Sequence, residues 1–199
     1  MLRLLGRSTS GNVQKVLFLL EELGTEYQRE DYGRQFGNTT GPYLLLNPTG
    51  KVPTLVDGDV VIWESNTILR YLAGREQSPL LPQDLAKRTL VERWMDWLLA
   101  SLNGPYVAVF KGSKQAPEER DASYAAAAND VKTQLAFLNS QLSEQPWLAG
   151  DEFSLADIAV APIAHRCLGF PIERPTLPAL EAWHERLQAR PAFRNAVQA

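Results

Sequence analysis

The chain opens on a short apolar run, "MLRLL", breaks into a polar turn, "GRSTSGN", and then repeats apolar residues at helical spacing through Val13, Val16, Leu17 and Leu20 before Gly24. A buried strand, a loop and an amphipathic helix are the predicted elements. "TEYQREDY" (25–32) alternates well enough to predict a second strand, which a helical crossover would return parallel to the first. The stretch "GRQFGNTTGPYLLLNPTGK" (33–51) is rich in Gly, Asn, Thr and Pro and predicts irregular chain. Two β-prone runs follow in "VPTLVDGDVVIWES", joined through Asp57-Gly58, which suits a tight antiparallel hairpin. "SNTILRYLAGRE" then regains helical spacing through Ile68, Leu69 and Leu72. The order is βαβ-ββα within residues 1–75, a mixed sheet with helices packed on it.

Beyond a Pro- and Ser-marked linker (76–83) the period-2 signal disappears, and residues 84–199 read as helix throughout. "LAKRTLVERWMDWLLASLNGPYVAVF" is long and apolar on one side, "PEERDASYAAAANDVKTQLAFLNSQLSE" is amphipathic, and "LPALEAWHERLQARPAFRNAVQ" is broken at Pro191. "SLADIAVAPIAHRCLG" is apolar nearly all round, the pattern of a buried central helix. The expectation is an α/β domain over 1–75 and an all-α domain over 84–199.

Composition narrows the function classes. The chain has 199 residues, a formal charge of −3 and an apolar fraction of 45%, which describe an ordinary globular protein. Its basic residues are scattered, not gathered into the stripe a nucleic-acid backbone requires. One cysteine, Cys167, excludes an intramolecular disulfide, a CxxC pair and a cysteine-based zinc site. His165 and His184, apart in sequence and without acidic or thiol neighbours at ligand spacing, give no metal signal. No apolar run reaches the roughly 18 residues of a membrane span, so the expected location is the cytoplasm, with neither membrane nor nucleic acid as partner.

Three motifs carry chemistry. The opening turn places Ser8, Thr9, Ser10 and Asn12 before a helix, where they are helix caps or handlers of a reacting group. Glu64 and Ser65 begin another helix, where free N–H groups and the dipole attract an anion, or where either residue simply caps. "FSLADIAVAP" has Ser154 and Asp157 at the spacing of a capping box, a structural motif.

Taken in order, these stretches resemble the soluble glutathione S-transferases. "NPTGKVPTLVDGDVVIWES" resembles that family's Asn-Pro-x-Gly-x-Val-Pro-x-Leu…Glu-Ser pattern. "FSLADIAVAP" resembles its second-domain motif, and Ser10, Asn12, Lys15 and Val16 resemble the first-helix opening of the serine- and asparagine-dependent bacterial and fungal members. The resemblance implies a thioredoxin-like first domain, an all-α second domain, glutathione as co-substrate, no metal, and a homodimer.

It also implies roles. Val52-Pro53 would be a cis bond beside which glutathione pairs as an added strand. Ser65 would take the γ-glutamyl carboxylate and Glu64 its ammonium. Lys51 is the first choice for the glycyl carboxylate, with Arg34 and Arg7 as further cations. Ser10, with Asn12 as co-donor, would stabilise the glutathione thiolate. A thiol near its free pKa of ~8.5 is only slightly ionised at neutral pH, and a donor aimed at sulfur favours the charged form. Asn103, Tyr106 and Phe110, at helical spacing, are candidate walls for a small hydrophobic electrophile, though such aromatic pairs are more often core. Cys167 reads as an inert packed thiol. The leading expectation is transfer of glutathione to an electrophile. The rivals are glutathione-dependent reduction of peroxides or disulfides, and a binding protein that retains the fold without catalysis.

Overall fold

The computed structural model describes residues 1–198, which divide into two units: residues 1–83 with 188–198, and residues 84–187.

In the first unit β1 (Leu2–Leu5) lies inside a four-stranded sheet, between β2 (Tyr27–Glu30) and β3 (Thr54–Asp57), with β4 (Val60–Trp63) beyond β3. Leu2, Leu4 and Leu5 are buried, as an inner strand requires. α1 (Gly11–Leu23) carries the chain to β2 (Tyr27–Glu30), which pairs parallel to β1 with Leu2 opposite Tyr27. β3 (Thr54–Asp57) runs antiparallel to β1, with Leu4 opposite Leu55, and turns into β4 (Val60–Trp63). The tight turn falls on Gly58-Asp59, one residue later than Asp57-Gly58, because Asp57 pairs with Val60 and Gly58 takes the positive φ of 58°. α3 (Ser65–Arg75) follows. The segment expected to be irregular contains a 3₁₀ turn, Arg34–Phe36, and a short helix, α2 (Pro42–Leu46), opened by Pro42.

α1 is buried from Val13 to Leu20, and Gly24 ends it in the left-handed conformation. One cover for this helix comes from the far end of the chain. In α9 (Pro191–Gln198), Phe193 meets Phe18 edge-on at 5.2 Å. Arg190 donates two hydrogen bonds to Glu22, at 2.7 and 2.6 Å. Residues 188–198 complete the apolar surface of α1 and belong to the first unit.

In the second unit, α4 (Leu85–Trp97) passes through a π-helical turn, Leu98–Leu102, into α5 (Asn103–Gly112). Pro105, which has no N–H to give, sits just after this turn, where an α-helical ladder loses a rung. α6 (Ala122–Leu142) and α8 (Pro178–Gln188) accompany α7 (Leu155–Leu168), which is buried almost throughout. The Asp157 carboxylate at the head of α7 accepts from the N–H groups of Ser154 (3.0 Å) and Leu148 (3.0 Å) and from Trp183 Nε1 (2.8 Å). The expected box is present, and the same carboxylate also fastens two other segments.

Candidate functional site

The turn between β1 and α1 is pinned by its backbone: Gly6 N–H donates to Glu30 (2.8 Å), Arg7 N–H to Tyr32 (3.1 Å) and Ser10 N–H to Arg7 (3.1 Å). A Cβ on Gly6 would stand 2.6 Å from Val13 and 3.2 Å from Val52, so glycine lets α1 and the Val52 loop close on each other. Ser10 occupies the N-cap position of α1 with extended backbone, and its carbonyl accepts from Gln14 (2.9 Å), yet its hydroxyl makes no capping bond. Neither does the side chain of Glu64, the N-cap of α3, whose φ of 70° is a strained value for a residue with a side chain.

Both helices thus present first-turn N–H groups that no cap of their own occupies. The two starts are tied to each other, with Ser65 Oγ donating to Asn12 Oδ1 at 3.4 Å. With that oxygen engaged, the NH₂ of Asn12 is the end left to donate elsewhere.

A cleft of about 310 Å³ opens beside this tie, lined by Arg7, Ser10, Asn12, Gly33, Arg34, Thr39, Gly50, Lys51 and Val52. Three cations and no carboxylate stand on this wall, the electrostatics of an anion site. Gly33, at a φ of 85°, leaves room for Arg7: a Cβ there would be 2.9 Å from Arg7 Nη1. Asn38 fixes the loop by accepting from Gly33 N–H (3.0 Å) and donating to the Asp31 carbonyl (2.8 Å).

Within the same lining, the Val52-Pro53 bond is cis. The Lys51 carbonyl before it accepts from the Tyr43 hydroxyl (2.6 Å) and from Asn47 Nδ2 (2.8 Å), and both of these side chains also meet Thr54 Oγ1, at 2.8 and 3.0 Å. Tyr43, Asn47 and Thr54 are buried, and burial pushes the Tyr43 phenol upward. This network holds the carbonyl that leads into the cis bond.

Of the residues expected in a site, the cleft gathers Ser10, Asn12, Arg34, Lys51 and Val52 on one wall. Pro53 follows in the cis bond, Ser65 joins through Asn12, and Glu64 precedes Ser65. Sequence reading missed Gly33, Thr39 and Gly50 on the wall, and the Tyr43, Asn47 and Thr54 support behind it. The Asn-Pro-x-Gly stretch was the signal for Asn47, whereas nothing local distinguished Tyr43 or Thr39.

Asn103, Tyr106 and Phe110 lie on α5 in the second unit. Tyr106 stacks with Phe170 at 5.9 Å and lies 5.9 Å from Phe110, over which Lys114 Nζ stands at 4.4 Å. The histidines that are apart in sequence meet, with Nδ1 of His165 2.8 Å from Nε2 of His184. Burial lowers both, His184 to about 4. Among the described residues no cluster of three or more His, Cys, Asp or Glu could hold a metal. Cys167 is buried, and its thiol is pushed up by that burial, far from thiolate character. No helix among the described residues is long and apolar enough to cross a membrane.

Residues 2–74 match the family model described as glutathione S-transferase, N-terminal domain, and residues 99–191 match glutathione S-transferase, C-terminal domain. The chain is 38% identical to glutathione S-transferase GstB of Escherichia coli K12, over 99% of this chain and 98% of that one. It is 30% identical to the disulfide-bond oxidoreductase YfcG of the same organism, over 94% and 90%. Among solved structures, it superposes on the theta class glutathione S-transferase from Xanthomonas axonopodis pv. citri with glutathione bound. That match has a TM-score of 0.94 at 42% identity and covers 100% of this chain and 97% of the other.

Proposed function

Because the chain belongs to the glutathione S-transferase family, we propose that the cleft beside Ser10 binds glutathione and that Ser10, with Asn12, holds its sulfur as the thiolate for attack on a small hydrophobic electrophile. The fold is the thioredoxin-like α/β unit and helical unit of this family, and glutathione is its co-substrate.

The observation that carries the assignment is the Ser10 hydroxyl: at a helix N-cap, on the wall of a cation-lined cleft, and not used as a cap. In this reading the peptide lies extended along Val52. Its γ-glutamyl carboxylate meets the first turn of α3 at Ser65, its ammonium meets Glu64, and its glycyl carboxylate meets Lys51 and Arg34, with Arg7 as the third cation of the cleft. The sulfur then comes to Ser10 Oγ and the Asn12 amide at the positive end of α1. Lowering the thiol pKa by roughly two units corresponds to ~2.7 kcal/mol in favour of the thiolate. Proton loss from sulfur thus precedes attack, and the hydroxyl donates its hydrogen bond to the charge. Asn103, Tyr106 and Phe110 are the proposed electrophile wall, and the assembly is proposed to be a cytoplasmic homodimer.

A second reading, reduction of disulfides by glutathione, is favoured by the similarity to a relative named as a disulfide-bond oxidoreductase and by the free donor end of Asn12 in the cleft. Titrating the bound thiol by its ultraviolet absorbance in the wild type, Ser10→Ala and Asn12→Ala tests both. Ser10→Ala is expected to raise the bound thiol pKa by about two units, with a fall of roughly a hundredfold in transfer at neutral pH. An unchanged thiol pKa removes Ser10 from the mechanism. A dominant effect of Asn12→Ala on disulfide reduction, with transfer intact, favours the second reading.

A further inference from the structure

Lys15, on α1, is fully buried, and among the described residues its Nζ has no hydrogen-bond partner. An ammonium stripped of water and given no acceptor is costly, and a fold with no use for one would place methionine or leucine there. Lys15 stands three residues after Asn12, on the same face of the helix. Asn12 is the residue that takes the Ser65 hydroxyl at 3.4 Å, so that face of α1 looks toward the start of α3, where Glu64 is the N-cap. Glu64 is exposed and held at a φ of 70°, and its own side chain does not cap.

We infer that Lys15 is a positioning residue for the amine end of the ligand: a buried cation behind the Glu64–Ser65 turn that keeps the Glu64 carboxylate aimed at a ligand ammonium. This rests on the glutathione reading of the cleft. Charges then alternate from the interior outward, Lys15 positive, Glu64 negative, the ligand's ammonium positive, and its carboxylate negative against the first turn of α3. Such alternation in sign is what lets a zwitterionic end group leave water beside a cleft lined by cations. Burial pulls the Lys15 ammonium down to about 7, and Glu64 acts in the opposite direction. The lysine's charge therefore depends on the carboxylate that it positions.

The test compares glutathione with an analogue in which the γ-glutamyl amine is replaced by hydrogen, by calorimetry on the full chain. Lys15→Met is expected to weaken glutathione about tenfold while leaving the des-amino analogue unchanged. Glu64→Gln should do the same, and the double variant should bind glutathione no worse than Glu64→Gln alone, because both changes act through one carboxylate. The melting temperature of Lys15→Met should equal or exceed that of the wild type, since a desolvated charge has been replaced by an apolar chain of similar length. Glutathione binding by Lys15→Met equal to wild type overturns the inference, as does equal weakening of both ligands. A Lys15→Met chain that melts lower or fails to fold marks Lys15 as structural and also overturns it. Failure of the wild type itself to bind glutathione overturns the underlying reading of the cleft, and so is distinguishable from all of these.

Discussion

Helices begin differently in the two units of this molecule. In the second, Asp84 accepts from Lys87 N–H at 2.9 Å, Asp121 from Ser123 and Tyr124 at 2.9 and 3.2 Å, and Ser154 from Ala156 at 3.2 Å, each side chain closing its own helix. In the first, Ser10 and Glu64 hold the same N-cap positions and close nothing. A side-chain cap is worth about 1 kcal/mol, so α1 and α3 forgo stabilisation that the second unit takes. Those two starts flank the cation-lined cleft and are joined to each other through Ser65 and Asn12. A cap in use is architecture, and an N-cap side chain left idle beside a cleft is the kind the proposed site assigns to a ligand.

Breaking the architectural side should give the largest effect. Asp157→Ala would leave Trp183 Nε1, Leu148 N–H and Ser154 N–H without their buried acceptor, at a cost of about 3–5 kcal/mol in unfolding free energy. Denaturant titration measures it. Turnover per folded molecule should be unchanged, and a specific loss of activity with stability intact would place Asp157 on the wrong side of the comparison.

The same carboxylate provides a pH signature. Burial pushes Asp157 up to about 6 against its hydrogen-bond donors, whereas the unfolded chain has it near ~3.9. Between those values the folded state binds more protons than the unfolded state, so stability falls as pH rises. Relative to Asp157→Asn, the wild type's stability advantage should be greatest below pH ~4, shrink by roughly 3 kcal/mol by pH ~7, and stay level above that. An advantage that grows with pH over that interval contradicts the assignment.

A smaller effect separates the two kinds of N-cap directly. Asp121→Ala should lower stability by about 1 kcal/mol, whereas Ser10→Ala should change it by no more than a few tenths, because only the first removes a capping bond. Equal losses in chemical denaturation would mean that Ser10 caps in solution.

The short apolar run "MLRLL", the spacing of Val13 through Leu20 and the hairpin around Gly58 specified βαβ-ββα, because each is a local signal. Val52-Pro53, Ser10 and Asn12 were legible because they sit in short motifs. The support under Lys51 was not: Tyr43, Asn47 and Thr54 converge on one carbonyl from a helix, a turn and a strand. The membership of α9 rests on a Glu22–Arg190 pair that spans 168 positions, for which no window of sequence carries a signal. His165 and His184 meet only because α7 and α8 pack. Most tellingly, Ser10 and Ser154 are the same letter at the same helical position, and only the placement of the hydroxyl separates a donor from a cap.

That last pair suggests the finest discrimination. Ser10→Asp puts a better capping acceptor, and a charge matched to the helix dipole, at the start of α1. It should raise stability by about 0.5 kcal/mol, with attraction from the cations of the cleft adding to the gain. The same carboxylate has no hydrogen to donate at neutral pH and would stand where the proposed site puts the thiolate, so like charges would meet and ionisation of bound glutathione should be suppressed. Stability and thiol ionisation are therefore expected to move in opposite directions in one variant, read by thermal melting and by thiolate absorbance. If Ser10 were an ordinary cap both would hold or rise together, and the distinction between the helix starts of the two units would fail at the residue on which it depends most.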